Sequence, residues 1–369
     1  MSRLKRIKFS RSADAAFVKT LKERVATYFE EKQISRRANG GMVVKTVLLL
    51  LLYLAPLVIM ITGVVANPLL LFFMWVLMAF GMAGIGMSIM HDANHGSYAK
   101  SPVVNKYLGY LINIVGGSVL VWKIQHNVLH HSFTNIEGQD GDIDAGGLLR
   151  LSPNTKRLWI HRIQAFYAWF IYGFTTLNWA TFKDFLQIFS YRKRGLTVKG
   201  RGAFTMQVTR LTVAKLMYWG VMLALPMWLS PVQWWVTLIF FLTMHFIAGV
   251  FTTTVFQAAH VMPDAEYPVP NDDGNVPENW YVHQLRTTCN FSPKSRIMSW
   301  FIGGLNFQIE HHLFPSISHI HYPKLSKIVQ QTAQEYGIAY NVYPNFAVVV
   351  WQHAKHLWRL GRPIPVTLR

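Results

Sequence analysis

Charge-free apolar runs alternate with polar, histidine-bearing segments along this chain, and the runs come in two pairs. Residues 46–66 (TVLLLLLYLAPLVIMITGVVA) carry no charge, and at about 1.5 Å per residue they form a rod of roughly 31 Å, the thickness of a bilayer core. After the tight Asn67-Pro68 connection, residues 68–90 form a second charge-free run that stops at His91-Asp92. A third candidate covers residues 211–229, with Lys215 near its start, where the ammonium is expected to snorkel to the interface. Ser230-Pro231 breaks it, and residues 234–256 are the fourth, opening on Trp234 and Trp235 at the level of an aromatic belt. The pattern predicts an all-α integral membrane protein with four transmembrane helices in two hairpins. Residues 108–122 are too short to span comfortably and residues 163–180 are dominated by aromatics, so both read as interfacial or re-entrant. Segments 181–210 and 264–300 are basic or polar and carry turn signals at Pro263, Pro268, Pro270 and Asp272-Asp273-Gly274, which reads as soluble cap material.

Composition supports this: 51% of residues are hydrophobic and only 14% charged. Lys and Arg total 36 against 17 acids, a formal net charge of +19. Neither short connection, 67–68 or 230–233, contains a charge, so the basic residues fall on the other side of the hairpins, which positive-inside assigns to the cytoplasm. The excess is then a topology signal and a match to anionic headgroups, and no nucleic-acid partner is expected. Termini and histidines share the cytoplasmic side, and no signal peptide is expected in the first 40 residues. Three regions result: an amphipathic segment 1–40, a membrane domain 41–325 and a helical tail 326–369. In the first, Phe17, Leu21, Val25, Tyr28 and Phe29 recur at helical spacing among lysines and an arginine, fitting a helix on the membrane surface or an ordinary packed one. Cys289 is the only cysteine, which excludes disulfide scaffolds and CxxC sites.

Eight of the 15 histidines sit at or just past predicted membrane boundaries: His91 and His95 in HDANH, His126, His130 and His131 in HNVLHH, His260 after the fourth span, and His311 and His312 in QIEHH. Spacing of i, i+4 puts two imidazoles on one helix face, within reach of one ion. With four spans, clusters some 200 residues apart meet over the same ends of the bundle, as a His-rich cytoplasmic helical cap. Eight neutral imidazoles exceed what one ion can use, so two metals are implied. Asp92, Asp140, Asp142, Asp144 and Glu310 are candidates to orient ring nitrogens. The chain lacks HExxH and ExxH, which excludes a zincin and a carboxylate di-iron bundle. Only His245 lies mid-span, where a packed or hydrogen-bonded residue is the expected role. An all-nitrogen pair of redox metals at a membrane surface suits oxygen activation and attack on a lipid chain.

HDANHGSY, HNVLHHSFTN and GGLNFQIEHHLFP together resemble the three histidine boxes of the membrane fatty acid desaturases, over about residues 40–325. The resemblance implies two iron ions held by His91, His95, His126, His130, His131, His260, His311 and His312, with O2 as co-substrate and a cis double bond as product. Gln308 opening the third box resembles the front-end, delta-6-like subgroup. No HPGG haem motif of a fused cytochrome b5 occurs, so the resemblance implies a separate electron donor, a ferredoxin or a cytochrome b5. The substrate implied is a fatty acyl chain on coenzyme A or a membrane lipid, and Lys and Arg between 192 and 201 fit its anionic carrier or serve as a solvated loop. An apolar tunnel led into by residues 72–90 and 240–256 would set the position of attack, with Trp122, Trp300 and Asn306 near the boxes. His283 is a further candidate ligand, whereas for His319 and His321 a solvated loop is expected over the alternative of support for the third box. A hydroxylase or ketolase on the same scaffold, a membrane metal transporter and a zinc hydrolase are the rival readings.

Overall fold

The computed structural model describes residues 7–363. In chain order the elements are β1 (Lys8–Phe9), α1 (Ala15–Lys32), α2 (Gly40–Ile61), α3 (Pro68–Asn94), α4 (Pro102–Ile114), α5 (Val119–His130), α6 (Gln164–Gly173), α7 (Asp184–Lys193), α8 (Arg201–Leu229), α9 (Trp234–His260), β2 (Asn275–Val276), α10 (Trp280–Thr287), β3 (Asn290–Phe291), α11 (Arg296–Phe301), α12 (Gln308–Leu313), α13 (Tyr322–Glu335), β4 (Val342–Tyr343) and α14 (Phe346–Leu360). β1 pairs in parallel with β2, Lys8 opposite Asn275, and β3 with β4, Asn290 opposite Val342.

Helices α2, α3, α8 and α9 are long and apolar enough to cross a membrane, at the four places where the charge-free runs predict spans. Their ends lie elsewhere, because a helix stops where its backbone is capped and not where hydropathy falls. The Asn39 side chain accepts from Met42 N–H and starts α2 at Gly40, while Asn67 accepts from Leu69 and Leu70 and places Pro68 in the first turn of α3. α3 does not stop at Met90: it passes through a wide π turn at Ile85–Ile89 and carries His91 on its last turn. α9 likewise runs to His260, which is the final residue of the helix and not a residue beyond it.

The chain forms two compact units, one of residues 38–124 and 170–253, the other of residues 1–37, 125–169 and 254–369. In the first, Leu49 and Tyr53 of α2 and Trp75 and Met78 of α3 are all buried, and Leu49 lies against Gly84 of α3. Gly81 makes this hairpin close: a Cβ there would lie 2.8 Å from the Tyr53 nitrogen. Val47, Leu51, Val58, Phe73, Leu77, Met217, Val221, Trp235 and Ile239 point outward, so the helices long enough to cross a membrane also carry apolar outer faces. One expectation fails in this unit. Lys215 does not snorkel: its ammonium is buried, donating to the Asp184 carboxylate and to the Gly116 and Trp179 carbonyls. Segment 181–210 holds α7, with Asp184 buried at its start, and the first turns of α8. The stretch 108–122 breaks at Gly116, which adopts φ 89°, into the end of α4 and the start of α5.

The second unit settles the two roles open to α1. Phe17, Leu21, Val25 and Phe29 are buried in one core with Leu325, Val329 and Ala333 of α13 and Ile309 and Leu313 of α12, so the stripe is a packing face. Each of these side chains larger than Ala333 contributes about 1.5–3 kcal/mol by leaving water. Thr20 to Tyr336 at 2.8 Å and Arg24 to Glu335 at 2.7 Å align the two helices.

Candidate metal centre

Six of the predicted histidines converge within the second unit, and backbone geometry explains how. The closing turn of α5, Lys123–His130, is a π-helix, with His131 N–H bonded to the His126 carbonyl at 3.0 Å. In an α-helix residue 131 would point roughly 140° away from residue 126. The wider π turn swings His126, His130 and His131 onto one side, so that their ring centroids lie 4.7–5.7 Å apart. α12 brings His311 and His312 as neighbours that diverge around the helix. Asn290 of β3 anchors that short helix by accepting from Ile309 N–H at 2.9 Å and donating to Glu310 at 2.8 Å. Glu310 also accepts from the Tyr340 hydroxyl at 2.9 Å, and burial pushes its carboxyl up to about 8.

One set comprises His130, His260 and His312, whose ligand nitrogens lie within 4.8 Å of one another. In all three Nδ1 is occupied. His130 Nδ1 donates to Asp140 at 3.0 Å, His260 Nδ1 to the Thr287 carbonyl at 3.3 Å, and His312 Nδ1 to Gln284 Oε1 at 2.8 Å. Each bond fixes the tautomer, so the Nε2 lone pair faces the common centre. Gln308 points its amide nitrogen at two of those lone pairs, 2.9 Å from His260 Nε2 and 3.4 Å from His312 Nε2. The same 4.8 Å limit holds for His131, His311 and His312, the His131 and His311 rings 4.6 Å apart, and His126 adjoins this set with its Nε2 3.2 Å from that of His131. His312 is close to both, its ring stacked 4.3 Å from His131.

Electrostatics favour a cation here. Burial alone would raise the Asp140 carboxyl, but His130 and the N–H groups of Asn135 and Asp142 hold it below the ordinary range. For His130 burial pulls downward, yet Asp140 and Asp142 push it up to about 9. Two carboxylates thus demand positive charge on an imidazole whose Nε2 is buried with no hydrogen-bond partner among the described residues. A metal ion at Nε2 meets both conditions. Burial first, then crowding by His131, His130, His260 and His126, holds His312 neutral, as a ligand must be.

In the other unit His91 and His95 form a pair at the end of α3, rings 4.8 Å apart, both edge-on to Trp122 at 5.6 and 5.7 Å. The remaining candidates separate. Asp142 lies 3.4 Å from His130 and bonds Gln125, while Asp144 turns away to cap Gly146. Asp92 lends its backbone carbonyl to Ser97. His283 is buried but packs on Phe9 and Glu278, apart from both sets. Asn306 ties Ser292 to Ser299, and Trp300 is partly exposed. His319 and His321 are not in a solvated loop: they form a 3-10 turn with His319 buried and His321 half-buried. Sequence reasoning missed Gln284, which bonds His312, Thr134 and the His131 carbonyl, and Asn135, whose amide joins the His260, Glu266 and Thr287 carbonyls. The only signal was the polar Gln284 inside the helical stretch 280–287.

Comparison with known proteins reaches the same place. The family model described as fatty acid desaturase matches residues 66–344. The sn-1 linoleoyl-lipid 6-desaturase of Synechocystis sp. is 33% identical over 361 residues, covering 97% of this chain and 98% of that protein. The sn-1 linoleoyl-lipid 6-desaturase of Arthrospira platensis is 34% identical, covering 89% and 88% of the two chains, and the acyl-lipid (8-3)-desaturase of Physcomitrium patens 33%, covering 96% and 74%. With three histidine boxes in order and the match running through most of its length, the chain belongs to the fatty acid desaturase family.

Proposed function

We propose that this protein is an O2-dependent acyl-lipid desaturase of the front-end, delta-6-like type, which introduces a cis double bond into a fatty acyl chain of a membrane glycerolipid. The convergence of the His130, His260 and His312 Nε2 lone pairs, each with Nδ1 tied behind it, is the observation that carries the reading. Relatives named as linoleoyl-lipid 6-desaturases support the acyl-lipid carrier and the delta-6 position. His130, His260 and His312 would hold one iron, His126, His131 and His311 the other, and His91 and His95 complete the eight ligands. Bound iron supplies the activation of O2 with two electrons from a separate carrier, a ferredoxin or a cytochrome b5. The chain's own residues orient the ligands: Asp140 holds His130, Gln284 holds His312, and Gln308 keeps its amide between two imidazoles. The catalytic region 41–325 is taken to cross the membrane four times, with termini and histidines on the cytoplasmic side.

The test is fatty-acid methyl-ester profiling, with double-bond location, of a host supplied with linoleate that expresses the chain or its His130→Ala variant. New delta-6 unsaturation with the intact chain only is the expected outcome. Hydroxylated products would transfer the reading to the sister chemistry, and zinc as the sole bound metal would overturn the di-iron centre.

A further inference from the structure

Helix α14 divides its side chains by face. Val349, His353, His356, Leu357 and Leu360 are buried, whereas Trp351, Lys355, Trp358 and Arg359 face outward. The outward residues recur at i, i+4, i+7 and i+8, so they line one stripe. Cations lie over its rings: the Lys355 ammonium is 5.6 Å from the Trp351 centroid and the Arg362 guanidinium 3.2 Å from that of Trp358. The stripe continues on the segment that enters α6. Phe166 meets Trp358 edge-on at 5.7 Å, Gln164 donates to the Leu357 carbonyl at 2.8 Å, and Arg150 donates to the Leu360 carbonyl at 2.6 Å. A Cβ on Gly361 would fall 2.0 Å from the His161 carbonyl oxygen, so only glycine lets the two pieces close. On this neighbouring piece Trp159 is 82% exposed, and Ile163 and Phe166 stand out beside Lys156, Arg157 and Arg162. Neither residues 145–169 nor residues 336–369 contain an Asp or Glu.

We propose that α14 and segment 156–166 form one docking face for a bilayer surface with anionic headgroups. Trp159, Phe166, Trp351 and Trp358 seat at the interface, and the basic residues between them meet phosphates. Three observations select a lipid surface over a soluble partner: ring-and-cation alternation is what an interface of apolar chains beneath charged headgroups matches, the charge is of one sign, and the same chain carries four helices fit for a bilayer. The role that the sequence offered to α1 falls to this face instead, because α1 turns its apolar stripe inward against α13.

The experiment uses the full chain in lipid nanodiscs with one nitroxide on Trp351→Cys, Trp358→Cys or, as control, Lys324→Cys at an exposed position of α13; native Cys289 is buried and stays unlabelled. Relaxation by O2 and by a water-soluble nickel chelate is compared in discs of phosphatidylcholine and of phosphatidylcholine with phosphatidylglycerol. The expected result is an oxygen-to-nickel ratio at 351 and 358 at least about fivefold above that at 324, rising further with phosphatidylglycerol. The triple variant Lys355→Glu, Arg359→Glu, Arg362→Glu should lose that rise. Equal nickel access at all three positions would overturn the proposal and leave the face to a soluble partner. Depth that ignores lipid charge would overturn the anionic headgroups. Neither readout depends on bound metal or turnover.

Discussion

Two buried histidines, one in each compact unit, differ in what their surroundings leave open. His245, midway along α9, has both nitrogens engaged: Nε2 meets the Tyr218 hydroxyl at 2.8 Å and Nδ1 meets Thr176 Oγ1 at 3.1 Å. His130 engages only Nδ1, with Asp140, and its Nε2 lies buried among other imidazoles. Burial is the same, so accessibility does not distinguish them. What differs is whether the protein finishes the hydrogen-bonding of the ring or leaves one lone pair for a cation. His245 is closed by its neighbours, whereas His130 belongs to a group of rings aimed at a shared point.

Removing the open ring should have the largest effect. His130→Ala is expected to lower bound metal and product formation by more than about 100-fold, beyond the 10–100-fold typical of groups that only orient ligands. Metal analysis of the purified protein with lipid profiling of the host checks it. Unchanged metal content would show that the converging nitrogens are not a binding site.

Next comes the first unit's buried ion pair. Lys215→Met leaves the Asp184 carboxylate enclosed and unpaired, an expected loss of about 3–5 kcal/mol. The melting temperature in detergent should fall sharply while metal per folded chain stays constant, and adding Asp184→Leu should restore much of the stability. A metal loss matching that of His130→Ala would erase the distinction between the units.

This pair also marks where sequence reading stops. The four long helices and the six converging histidines were legible because hydropathy and local spacing carry them. That Lys215 meets Asp184, 31 residues away, was not, because no local pattern shows which polar group waits inside an apolar bundle. Nor was Gln284 legible as the group behind His312: a single glutamine in a short helix has no periodicity to announce it. The π turn of α5 was equally hidden, since HNVLHH fits α-helical spacing for His126 and His130 and leaves His131 unexplained. His283, whose role the sequence left open, is decided only by the fold, which turns its ring onto Phe9.

A smaller effect is expected at the group that orients His130. Asp140→Asn keeps an oxygen for the Nδ1–H but removes the charge that favours a cation on that ring. Metal retention against a chelator should weaken by about 10–100-fold, with the fold intact by circular dichroism. Retention equal to wild type would mean that geometry alone, and not the carboxylate, prepares His130.

The smallest effect belongs to His245. His245→Leu removes two hydrogen bonds within the helical bundle and leaves the Tyr218 and Thr176 hydroxyls to rebond. Thr176 already donates to the His245 backbone carbonyl at 2.8 Å, which the substitution keeps. Hydrogen bonds between membrane helices average about 0.6 kcal/mol and reach about 1.7. The variant should therefore melt slightly earlier, yet bind metal and form product as the unaltered chain does. That outcome separates a histidine completed by its neighbours from one left open, although both are fully enclosed and both are the residue type that holds metals. A loss of metal in His245→Leu comparable to that in His130→Ala would reverse the assignment, because the satisfied ring would then be supporting the centre and not the helix packing.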